Sequence, residues 1–236
     1  DAMLGGGLQD CSSTLVLGTP GSGKTVLGLH FLAEGARRGE PGLVASFHET
    51  EPALVATAGR TGQELGRHVD AGLVRTLWRS PLELSPDAWA WELLSLVDAH
   101  RPRRLVIDAF TDVAGLFEEE RHVAFLTALG NELRTRGTTT LVNMELDAYA
   151  GPSLLPPIPA VSASMDNGLL LRTAELGSRL VRILSVLKTR QIAFDHAIRE
   201  FAIGDRGIEV GGVVDAATGL LTGSAEPANG NDGGSG

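Results

Sequence analysis

Residues 18–25 read Gly18-Thr19-Pro20-Gly21-Ser22-Gly23-Lys24-Thr25, with the apolar run STLVL (13–17) before them and an apolar-periodic stretch from Val26 to about Gly39 after them. The octet matches G-x-x-x-x-G-K-[ST] at every fixed position, and its flanks supply the strand and helix that such a loop needs. Chemistry accounts for each residue type. Glycines let the backbone curl until its N–H groups face phosphate oxygens, at the positive end of the following helix. Lys24 is expected to reach the β and γ phosphates, and the Thr25 hydroxyl to ligate Mg2+. Residues 18–25 as a whole are the expected cradle for a nucleoside triphosphate.

Outward from this loop, strand-like and helix-like segments alternate. GLVASF (42–47) leads to a helix over 51–60, LVRTLW (73–78) to a helix over 86–100, and RLVID (104–108) to a helix over about 119–136, followed by TTTLVNM (138–144). Such alternation predicts parallel crossover units, a central sheet covered on both faces and an α/β fold. After residue 144 the pattern changes to a Pro/Ser/Ala-rich stretch reaching about Ser164. NGLLLRTAEL and RLVRILSVLK, separated by Gly177-Ser178, then predict an antiparallel hairpin at the sheet edge, with REFAIG beyond.

Two strand ends carry candidate site residues. RLVID delivers Asp108 to the carboxyl edge of the sheet, the place for a magnesium-side acid. The letters ASFHETEP (45–52) place His48 and Glu49 at another strand end. Thr50 suits an N-cap and Pro52 a first helical turn. Ala109-Phe110 follow Asp108, so a water-activating base must come from elsewhere, and Glu49 is better placed for it than Glu51.

Composition bounds the rest. With 236 residues, 43% of them hydrophobic, the chain can bury a sizeable core, and no apolar run approaches the roughly 20 residues of a membrane span. Absence of a signal-peptide pattern and a lone cysteine, Cys11, suit a reducing cytoplasm. The chain opens on Asp1 without an initiator methionine, so upstream residues are expected. The domain is expected over 1–214, with the Gly/Asn/Ser-rich 215–236 as a flexible tail. Eighteen arginines accompany two lysines, Lys24 and Lys188. Trp89 and Trp91 fall on one helical stretch, where packing is the expected role.

GGGL (5–8), GTPGSGKT, FHET, RLVIDAFTDV, ELGSRLVRILSVLKTR and DHAIREFAIG, in this order, resemble the KaiC-like ATPases of the RecA superfamily over essentially residues 1–210. The resemblance implies a RecA-like P-loop NTPase fold with a mostly parallel sheet, ATP and Mg2+ as cofactors, and a homo-oligomeric ring, commonly of six subunits. Lys188 and Arg190 match the family's K-x-R, whose cations reach the neighbour's γ-phosphate, an arginine-finger arrangement. The family places two adjacent glutamates where this chain has His48-Glu49, and the departure falls on the first. His48 retains an imidazole, which has the chemistry of a base. The expectation is a slow ATPase using Glu49, with His48 tuning or weakening it. Clock members autophosphorylate on a Ser/Thr pair; this chain has Ser162 before Ala163, with Ser164 beyond, an incomplete pairing.

Two other functions compete. A DNA recombinase of the RecA/RadA type would bind strands through loops within residues 145–167. No Lys or Arg occurs from Gly137 to Leu171, and the net charge is -9, which disfavours nucleic acid. A nucleotide-gated ring that recruits a regulatory protein partner, with little hydrolysis, fits the His48 departure.

Overall fold

Val16 faces one apolar cluster while Leu15 and Leu17, its neighbours on the same strand, face another. This period of two lets one buried sheet feed two cores. The computed structural model describes residues 2–80, 85–114, 116, 119–146, 164–176, 178–190, 193–214, 217–218 and 226–227. Its strands are β1 (Ser13–Gly18), β2 (Gly42–Ser46), β3 (Val74–Trp78), β4 (Arg104–Asp108), β5 (Thr139–Glu145), β6 (Asn167–Leu176), β7 (Arg179–Lys188), β8 (Arg199–Gly204) and β9 (Gly207–Val213). They form one sheet in the order β3-β2-β4-β5-β1-β6-β7-β8-β9. Pairing is parallel from β3 to β6 and antiparallel from there to β9.

The helices divide between the faces. On one side lie α1 (Lys24–Arg37), α2 (Glu51–Arg60) and α3 (Leu65–Asp70), packed through Leu29, Leu32, Leu54 and Leu65 on Val16, Val44, Val106 and Leu141. On the other lie α4 (Pro86–His100), α5 (Phe110–Ala114) and α6 (Glu119–Thr135), packed on Leu43, Ala45, Leu105, Ile107 and Val142. α1 approaches the sheet at Gly28, where an added Cβ would meet a Val106 methyl carbon at 2.8 Å.

The fold class is the one expected, and the differences are local. The strand predicted to add a hairpin at the sheet edge, β6, is itself a parallel neighbour of β1, and the antiparallel extension runs on through β8 and β9. Helices α3 and α5, of six and five residues, were not anticipated. Thr50 occupies the N-cap of α2 with extended backbone, but its side chain makes no capping bond. Trp89 is buried against Phe47, Phe110 and Phe125, whereas Trp91 is 74% exposed, so only the first serves packing. Of the expected tail, Ala217–Thr218 and Glu226–Pro227 pair as two short antiparallel strands, β10 and β11. Ser162 and Ala163 lie outside the described residues, as does most of the 145–167 stretch. No described helix is long and apolar enough to cross a membrane.

Candidate nucleotide site

The carboxyl edge of the parallel sheet collects the loop and the acids. Register sets Ser46 opposite Asp108, and Ile107 opposite Val142, which brings Asp108 beside Asn143. Gly18 stands opposite Glu145. Ser46, Asp108, Gly18 and Glu145 end adjacent strands, where open α/β sheets bind ligands, and Asn143 lies two residues inside the end of β5.

The Gly18–Thr25 loop turns from β1 into α1 through Gly23, which has a left-handed φ of 103° and lies under Ile203. A Cβ there would fall 2.6 Å from Ile203 Cδ1, at the tip of a side chain that can move, so it is the left-handed backbone that calls for glycine. Lys24 is 7% exposed. Its Nζ donates to the carbonyls of Gly18 (2.9 Å) and Thr19 (3.0 Å) and pairs with Glu145 at 3.5 Å. Burial pushes this ammonium below its usual range, while Glu145 and then Asp108 oppose the shift. In this arrangement the loop's own carbonyls and Glu145 hold the cation that a phosphate would take.

The Thr25 hydroxyl donates to Asp108 Oδ2 at 3.0 Å, and the Asn143 amide donates to Asp108 Oδ1 at 2.7 Å. Asp108 is thus a buried carboxylate with both oxygens engaged. Immediately after it, Ala109 takes a left-handed φ of 58°. For a residue with a Cβ this costs about 1–2 kcal/mol, and such strain gathers at functional sites. The hard oxygens of Thr25 and Asp108 fit Mg2+, which favours one or two protein donors alongside phosphate and water. Among the described residues no group of three or more His, Cys, Asp or Glu could hold a metal.

Glu49 and His48 part company. The Glu49 backbone N–H donates to Ser46 Oγ at 3.1 Å, which turns its side chain inward. Its Oε2 is buried without a hydrogen-bond partner, and Thr57 bonds the carboxylate. Burial, and secondarily the charge of Asp108, raise the Glu49 carboxyl above its ordinary 4.5. His48 is exposed, and its Nε2 pairs with Asp112 on α5.

Lys188 and Arg190 are elsewhere. Lys188 stands opposite Gly168, which stands beside Leu15. Its Nζ donates to the Met165 carbonyl at 2.7 Å. Arg190 lies 3.8 Å from Asp166, whose other oxygen accepts from the Ser13 N–H and hydroxyl. Both cations therefore sit at the amino edge, and Arg190 is about 16 Å of strand away from Gly18 of its own chain.

A family model for the KaiC ATPase matches residues 1–214. The chain belongs to the KaiC ATPase family. KaiC relatives include the circadian clock protein KaiC3 of Synechocystis sp., 27% identical over 95% of this chain and 44% of that protein. The circadian clock oscillator proteins KaiC of Picosynechococcus sp. and Thermostichus vulcanus are 26% and 25% identical, over 89% and 95% of this chain and 40% and 43% of theirs. The chain thus spans less than half the length of these KaiC proteins. At the family level it is a P-loop ATPase domain.

Three residues at the KaiC-type site were not singled out from sequence: Asn143, Glu145 and Asp112. The signal for Glu145 was position, since Glu145 and Asn143 share one face of β5 and emerge at the loop edge.

Proposed function

We propose that this domain binds MgATP at the edge formed by residues 18–25, Asp108 and Glu49, and hydrolyses it slowly within a ring of like subunits. One observation carries the reading: Glu49, with a buried, partner-free carboxylate oxygen, feels the charge of Asp108, the same carboxylate that accepts from the Thr25 hydroxyl. Phosphoryl transfer needs positioning and charge stabilisation more than covalent chemistry. Lys24 neutralises phosphate charge, Thr25 and Asp108 would hold Mg2+, and Glu49 accepts the proton of the attacking water. Bound magnesium would neutralise charge developing on the phosphates. Lys188 and Arg190, at the opposite edge, serve a neighbour's site and not their own. Hexameric size, a cytoplasmic setting and a clock-like signalling output are part of this proposal, the last drawn from the relatives' names.

The test is magnesium-dependent phosphate release measured beside oligomer mass, for the wild type, Glu49→Gln and His48→Glu. Slow turnover that falls in Glu49→Gln and rises in His48→Glu is expected; unchanged turnover in Glu49→Gln removes Glu49 from the reaction. The pairing of His48 with Asp112 favours a second reading, a nucleotide-gated module recruiting a regulatory protein. Ring assembly with ATP but without phosphate release selects that reading.

A further inference from the structure

Asparagine is a poor strand residue, yet Asn143 lies in the middle of the parallel sheet, wholly buried between Val142 and Met144. Two residues before it on the same face of β5, Leu141 lies in the core beneath α1. α1 lies directly over it, since a Cβ on Gly28 would come within 3.6 Å of Asn143 Nδ2. The side chain makes one bond, from Nδ2 to Asp108 Oδ1, while its own Oδ1 is buried with no partner. The carboxylate fixes which way the amide points, because the opposite orientation would set two acceptors against each other. An asparagine kept for packing alone would have both ends satisfied or would be replaced by an aliphatic residue. Here one end is spent on Asp108 and the other is left unpaired.

We propose that Asn143 is a positioning residue for Asp108. By occupying Oδ1 it fixes the carboxylate plane, so that Oδ2 stays aimed at the Thr25 hydroxyl and at the cation that arrives with nucleotide. The inference rests on the reading of Thr25 and Asp108 as the magnesium-side pair. Partners that orient a metal-side group in this way typically carry 10–100-fold in metal affinity.

The experiment uses the full chain as wild type, Asn143→Leu and Asn143→Ser. A fluorescent ATP analogue is titrated in EDTA and then against magnesium, and melting is followed without nucleotide. In Asn143→Leu the expected result is unchanged binding in EDTA, an unchanged or higher melting temperature, and a magnesium midpoint shifted upward by roughly 10-fold or more. Serine keeps a hydroxyl donor and should recover part of the shift; it also serves if the leucine variant fails to fold. Equal midpoints in all three proteins overturn the inference, as does a loss that is the same in EDTA and magnesium. A wild type whose binding ignores magnesium overturns the reading of Asp108 itself, a distinguishable outcome.

Discussion

Glu49 shows what a buried carboxylate costs the fold that holds it. Its carboxyl is raised by burial and then by the neighbouring charge of Asp108, while Arg60, Thr57 and His48 pull the other way. With the folded value above the unfolded one, its contribution to stability is fully present below about pH 4 and is lost as pH rises through the folded value. At neutral pH an ionised Glu49 therefore destabilises the protein. Glu49→Gln should lower turnover by about 100-fold or more, and should raise the melting temperature at pH 7. Melting curves from pH 7 down to 4 check the sign, since the gain must shrink toward zero with acid. A variant less stable at pH 7 would mean that Thr57 and Arg60 outweigh the burial.

At the scale of elements, α1 is held against the sheet by the absence of a side chain. Gly28 lies one turn beyond Thr25, and a methyl there would press on Val106. Gly130 on α6, by contrast, has open space around it. Gly130→Ala should gain about 0.8–1 kcal/mol from helix propensity alone. Gly28→Ala gains the same propensity but overpacks, giving a net loss of up to about 2 kcal/mol and weaker nucleotide binding as Thr25 moves. Urea midpoints of the two variants decide it. This contrast also marks what sequence can carry. The loop, β1 to β5 and the long helices were legible because each is local: a glycine pattern, a period of two, a period of 3.6. Helices α3 and α5 are too short to show a period, and Thr50 looked like a cap although its hydroxyl bonds nothing in that role. Asn143 meeting Asp108 spans 35 residues and depends on β4–β5 register, and the His48–Asp112 pair depends on the sharp turn at Ala109. Neither leaves a local signature.

For the whole molecule, the decisive geometry is the separation of Lys24 from Lys188 and Arg190 across one sheet. Subunits that complete one another's sites should rescue one another's defects. Lys24→Ala and Arg190→Ala proteins, each inactive alone, should regain part of the wild-type turnover when mixed and reassembled, because some junctions pair an intact loop with an intact Arg190. Absence of rescue across mixing ratios, with mixed assembly verified by mass, would place Arg190 outside the neighbour's site. The same separation has an arithmetic consequence. On the proposed reading each subunit would carry two different half-sites on opposite sides, so contacts would run head to tail and never pair like with like. An open chain of n subunits completes n − 1 sites and leaves an unmatched half at each end. Only closure makes the nth, so the last subunit to join contributes two working sites where every earlier addition contributed one.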